Sequence, residues 1–216
     1  MDSNPATIEP EFNFIGGNLC LDFANTVGGL PPDSISQERL TSYPHLVAWS
    51  QQANLTSESE AHVLLHKAEN AQVEAIAILE RARALREALY GIFAAVARGT
   101  QPTGSDLDWL NRELERGMAG ARVIVTSDGF GWEWRKDEGA FDQMLAPVAR
   151  SAATLLTSTE RQFVRECANE QCQWLFVDTT KNHRRQWCST TGCGNVMRVR
   201  KYRERQLTKE NSVNDL

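Results

Sequence analysis

No apolar run in this chain approaches the ~20 residues that a membrane span requires, and the N-terminal MDSNPATIEPEF lacks the basic-then-apolar order of a signal peptide. The expectation is a soluble, cytoplasmic protein with no membrane partner. Familiar catalytic signatures are missing as well. The sequence has no P-loop, no dinucleotide fingerprint and no Ser-His-Asp set, so a non-enzyme is expected. No internal repeat or low-complexity tract interrupts the chain. Although five cysteines are present, none forms the C-x2-C pair of a redox dithiol.

What remains is a chain of 216 residues, 41% hydrophobic, enough for one large domain or a medium domain with a small module attached. Its net charge of −5 conceals a strong asymmetry. Residues 161–209 hold 11 Lys and Arg against 4 Asp and Glu, whereas the rest of the chain holds 12 against 24. Such segregation points to two parts with different partners.

The N-terminal part reads as mainly helical. FNFIGGNLCLDFANTV (residues 12–27) alternates around Gly16-Gly17, as a short strand and turn would, and GGLPPDSISQ (28–37) has the composition of a loop. Helical spacing returns over 40–53, with Leu40, Tyr43, Leu46 and Val47. Ser57 and Glu60 offer a capping box to a helix that buries Ala61, Leu64, Leu65 and Ala68. The strongest pattern spans 72–98, where Ile76, Leu79, Ala82, Leu85, Leu89, Phe93 and Val96 recur every three or four residues before Gly99 and Pro102. Ser105 is the expected cap of a further helix burying Leu107, Leu110 and Leu114. ARVIVTSDGFGWEWR (121–135) alternates, turns and alternates back, predicting a hairpin with Val123, Val125, Trp132 and Trp134 on one core-facing side. Residues 141–156 are again helical, with Pro147 starting or kinking the helix, and the boundary falls near 160.

Four cysteines follow that boundary as C-x4-C (Cys167, Cys172), fifteen residues, then C-x4-C (Cys188, Cys193). Two close pairs at this separation suit a tetrahedral zinc site, each pair on a turn, and four thiolates leave no open position for catalysis. One structural Zn²⁺ is therefore expected, with Trp174, Phe176 and Val177 covering it and TTKNHRR making the return turn. Cys20, far away in an apolar stretch, reads as a small buried residue.

The run C-x4-C-x-W-x-F-x-D-x-T-K-N-x-x-R-x-W-C-x4-C-G-N resembles the CGNR zinc-finger family. FNFIGGNLCLDFANT is similar to the opening of the ABATE domain, which precedes that finger in bacterial stress-induced transcription regulators. The resemblance implies a helical N-terminal domain, zinc held by Cys167, Cys172, Cys188 and Cys193, and a finger that binds DNA. Where the family motif ends in Arg, this chain has Val196, which removes any DNA contact that Arg would make but not the zinc ligands.

Basic residues surround the cysteines. GNVMRVRKYRER reads as a helix capped by Asn195, with Arg198, Lys201 and Arg205 on one stripe, Arg200 and Arg203 widening it, and Val196, Val199 and Tyr202 toward the finger's own core. Lys181, Asn182, Arg184 and Arg185 lie on the zinc-braced turn with His183. A basic turn beside a basic helix has the footprint of phosphate contact, with Arg and Asn able to read base edges. His62 and His66 sit four apart on a helix without the Glu of H-E-x-x-H, and read as ordinary surface histidines. Asp22 and Asn25 either satisfy backbone groups near Gly16-Gly17 or line an effector pocket.

The expected architecture is α+β and mainly α. An N-terminal domain (1–160) with small β-hairpin elements precedes a treble-clef-like or knuckle zinc finger (161–209) that ends in a basic helix, with a short tail (210–216). The expected function is a stress-response transcription regulator that binds DNA and senses a small-molecule effector or dimerises. The alternative is a protein-interaction or dimerisation finger without DNA binding.

Overall fold

The computed structural model describes residues 11–28, 38–134 and 140–214, which hold seven α-helices, a 3-10 turn and two two-stranded antiparallel sheets. The α+β, mainly helical expectation is met. No helix among these residues is long and apolar enough to cross a membrane.

The strand expected around residues 12–27 is instead a short helix, α1 (Leu19–Ala24). Asn18 decides this. Its side chain accepts from the Cys20 N–H, so the apolar residues that follow turn into a helix rather than continue extended. Helix α1 is buried almost throughout and packs against α4 (Gln72–Ala97) and α6 (Leu145–Thr157). Cys20 is fully buried, and burial pushes its thiol up to about 12. Most of the expected loop, residues 29–37, lies outside the described residues.

Helix α2 (Tyr43–Gln52) is capped by Ser42, and α3 (Glu58–Asn70) opens on the expected reciprocal capping box of Ser57 and Glu60. Helix α4, about 39 Å long at 1.5 Å per residue, is the spine of the body. Its buried face carries Leu79, Ala82, Leu85, Leu89 and Phe93 as expected, but Ala75 is buried at its start while Ile76 is 58% exposed. The 3.6-residue stripe from Leu79 runs back four positions to 75, which turns 76 outward. Thr103, not Ser105, caps α5 (Gly104–Met118). Pro147 occupies the first turn of α6, where its missing N–H costs nothing.

Strands β1 (Ala121–Thr126) and β2 (Gly129–Trp134) form the expected hairpin, with Val123 opposite Trp132 and Val125 opposite Phe130. The expected burial does not follow. Val123 is 60% exposed, Val125 78%, Phe130 81% and Trp132 58%. The hairpin alternates as a half-buried sheet would, yet among the described residues these side chains stay exposed.

Residue 160 falls within a 3-10 turn, Thr159–Phe163, that leads into β3 (Val164–Glu166) and its antiparallel partner β4 (Leu175–Val177). Val164, Leu175 and Val177 join the same core as the N-terminal helices, so these strands are packed into the body. The final helix, α7 (Cys193–Asn214), starts at the last cysteine.

Candidate metal centre

The β3–β4 hairpin carries the first cysteine pair. Cys167 follows β3, and its N–H donates to the Trp174 carbonyl across the hairpin, while Cys172 closes a turn by donating to the Asn169 carbonyl. The second pair is set by the chain's return. Cys188 donates its N–H to Cys167 Sγ at 3.4 Å, and Cys193 is the first residue of α7, where the helix N-terminus favours a thiolate.

All four cysteines are buried and unbridged, with every Sγ within 4.8 Å of the others. Cys172 and Cys193 each lie 3.6 Å from Cys188. A disulfide needs about 2.05 Å, whereas tetrahedral Zn–S bonds of about 2.3 Å place sulfurs about 3.8 Å apart. The cysteines therefore fit one structural Zn²⁺. Protons give a worse solution to the same crowding. Cys167 is stabilised as a thiolate by hydrogen bonds from Cys172 and Cys188, and those two thiols are pushed up in consequence. A divalent cation lets all four ionise together. The hairpin, its knuckle, and a helix carrying the last ligand match the treble-clef alternative.

Trp174, Phe176 and Trp187 pack around the cysteines, joined by Ile15 from the N-terminal body. Asn169 reaches Cys193 Sγ with its Nδ2 at 3.5 Å, supporting that ligand from outside the cluster. The return turn is held by Asp178, which is fully buried. One of its oxygens accepts from the N–H and the hydroxyl of Thr180, the other from the Arg185 N–H at 2.8 Å. Burial opposes its charge, but these hydrogen bonds hold its carboxyl below the usual range. His183, with φ +47°, stacks on Phe163 at 3.8 Å and bonds the Asp178 carbonyl through Nδ1. Asn169 carries no expectation from the sequence and Asp178 appears there only as the Asp of the family run, although Asx-turn chemistry in A-N-E-Q-C and V-D-T-T signals both.

Of the nine expected nucleic-acid residues, eight are exposed: Lys181, Asn182 and Arg184 on the turn, and Arg198, Arg200, Lys201, Arg203 and Arg205 along α7. Arg185 differs. Its guanidinium lies 4.4 Å from the Phe176 ring, donates to the Trp187 carbonyl at 2.8 Å, and also donates to the Cys188 carbonyl. It braces the second cysteine pair. On α7, Arg198 reaches the Thr190 carbonyl at 3.4 Å, and Arg200 pairs with Glu204 at 3.1 Å. Helix α7 begins two residues before Asn195, so Asn195 lies in its first turn and does not cap it. Val196 and Val199 are each 41% exposed and Tyr202 64%, so they do not face the finger's core, whose space the cysteines and aromatic rings already fill.

Asp22 and Asn25 bind backbone. Asp22 accepts the Gly16 N–H at 2.7 Å, and its burial raises its pKa to about 6. Asn25 reaches into the finger: its Nδ2 donates to the Leu175 carbonyl at 2.8 Å, and its Oδ1 accepts the Leu175 N–H at 2.9 Å. Two bonds of opposite sense to one residue imitate a strand partner for β4. Trp174 adds a bond from its Nε1 to the Val27 carbonyl at 2.9 Å. On the other side, Glu166 takes a paired contact from Arg98, the residue that ends α4, and a hydroxyl bond from Tyr90 on α4 itself. His62 and His66 are exposed, and among the described residues the four cysteines are the one group able to hold a metal.

Comparison with known families agrees with this geometry. Residues 17–159 match the ABATE model, described as "Putative stress-induced transcription regulator", and residues 164–206 match the CGNR zinc finger. No curated protein gives a match to the chain. With the larger match covering most of the chain and the four-sulfur cluster lying inside the smaller one, this protein belongs to the ABATE family and carries a C-terminal CGNR zinc finger.

Proposed function

We propose that this protein is a non-enzymatic bacterial transcription regulator, cytoplasmic and stress-responsive, that binds duplex DNA through its finger. The observation that carries this reading is the run of exposed cations on a metal-braced frame, from Lys181 and Arg184, with Asn182 between them on the return turn, to Arg198, Lys201 and Arg205 on α7. The turn is held rigid by Asp178 and Arg185, so its cations meet phosphates without a large ordering cost. Val196 adds no cation, which leaves positioning to the residues farther along α7.

The expected result is binding to a mixed-sequence duplex at low salt that weakens steeply as salt rises, through counterion release. Replacing Arg198, Lys201 and Arg205 together by Ala should lower the magnitude of the log–log salt slope by about 3. Fluorescence anisotropy across a salt series checks both. Salt-insensitive binding, or no binding to any duplex at low salt, removes the reading in favour of a protein-interaction finger.

The N-terminal body serves as the sensing and pairing part in this proposal. Val123, Val125, Phe130 and Trp132 supply an uncharged apolar face, which a second copy can meet with the same face without burying unpaired charge. The sequence Val125→Glu with Phe130→Glu is expected to convert a dimer to a monomer in sedimentation. A wild-type monomer at tens of micromolar would remove the pairing role.

A further inference from the structure

The body contains a cleft of about 560 Å³ between α4, the end of α5 and the start of α6. It is far from featureless. Arg81, Arg116 and Arg150 line it with Glu113 and Asp142, so the described walls carry one more cation than anion. Glu113 is buried, while Asp142 remains partly exposed at 37%. Glu113, whose side chain is 1% exposed, accepts Arg81 through both oxygens at 2.8 Å and Arg116 Nη1 at 2.7 Å. Asp142 takes a further contact from Arg81 at 2.8 Å. A buried carboxylate gripping two guanidinium groups fixes their direction, while the Arg116 side chain stays 53% exposed with N–H groups to spare.

Two other features bear on an occupant. Gln143 lines the same cleft, and among the described residues its buried Nε2 has no acceptor. Leu55, Ala140, Ala146 and Pro147 make part of the lining apolar. Helix α4 supplies Arg81 here and, farther along, Tyr90 against the finger's Glu166, with Arg98 just past its end.

We infer that this cleft binds a small organic acid, its carboxylate held by Arg116 and Gln143 and its apolar body against Leu55, Ala146 and Pro147. A guanidinium fork matches a carboxylate in its plane, and the apolar wall distinguishes an organic acid from a bare inorganic anion. The inference deepens the effector-sensing part of the proposed regulator and rests on that reading for its purpose, but its test does not involve DNA.

The test is calorimetric titration of the full, zinc-loaded chain with benzoate, acetate and inorganic phosphate. Benzoate should bind at least tenfold more tightly than acetate or phosphate, about 1.4 kcal/mol. Arg116→Ala should weaken benzoate at least tenfold, and Gln143→Leu should weaken it measurably; Arg116 is exposed enough that its loss leaves Glu113 held by Arg81. Arg184→Ala, on the finger, should leave benzoate binding unchanged. Absence of benzoate binding at millimolar concentration, wild-type affinity in both cleft variants, or tighter binding of phosphate overturns the inference. Duplex titration of the same preparations reports separately on the DNA reading, so either can fail while the other stands.

Discussion

Cys188→Ser should abolish stoichiometric zinc binding and unfold the finger, and the damage should extend into the N-terminal helices. A structural zinc site contributes roughly 10–16 kcal/mol of apparent binding free energy, comparable with the whole stability of a typical domain at about 5–15 kcal/mol. Cys188 is central to the cluster, with Cys172 and Cys193 each at 3.6 Å and its own N–H on Cys167. Composition alone suggests that the N-terminal domain would survive this. The packing argues otherwise, because Val164, Leu175 and Val177 complete the core around α1, α4 and α6. Metal analysis should find about one zinc per wild-type chain, and far-UV circular dichroism melts should show the variant's remaining helix melting at markedly lower temperature. Stoichiometric iron would refute the metal assignment. A body that melts as in the wild type would refute the packing argument.

Asn25→Ala should cost about 2–4 kcal/mol, since it strips partners from both the N–H and the carbonyl of buried Leu175. Neither group has a ready substitute, for β4 pairs with β3 alone and its other edge is the one that Asn25 covers. In a chain of this size the loss should lower the melting temperature by roughly 5–15 °C. Asn25→Asp makes a sharper comparison. It keeps an acceptor for the Leu175 N–H but sets a carboxylate oxygen against the Leu175 carbonyl, so it should be at least as damaging above pH 5 as the Ala variant. Zinc content should stay near one per chain in both, separating this effect from ligand loss. A melting temperature within a degree of wild type for Asn25→Ala would show that the clamp adds nothing.

Much of the helical body is legible because amphipathic spacing and caps are local. Ser57 and Glu60 specify their own capping box, and the spacing of Leu79, Ala82, Leu85, Leu89 and Phe93 gives the α4 face without reference to anything else. Local patterns mislead where a neighbour decides. The alternation of residues 121–134 gives the hairpin, but its register and whether Val123 and Trp132 are covered depend on the turn and on what packs over them. Residues 12–27 look extended until Asn18 is seen capping α1. Arg185 and Arg184 are alike in composition and charge, and only the family run sets Arg185 apart; one folds onto Phe176 and two backbone carbonyls, and the other stays in solvent.

The sequence by itself determined the metal centre. Four thiols in two C-x4-C pairs fifteen residues apart prescribe a closed tetrahedral site, because ligand number, softness and loop length are all written in the chain. Only the tertiary structure decided how that site is joined to the rest. Asn25 and Leu175 are 150 positions apart, Tyr90 and Glu166 are 76 apart, and no periodicity records such contacts. The first forms because strand β4 presents backbone groups that must find a donor and an acceptor, and the second because packing of β3 on α4 brings the Glu166 carboxylate to the Tyr90 hydroxyl.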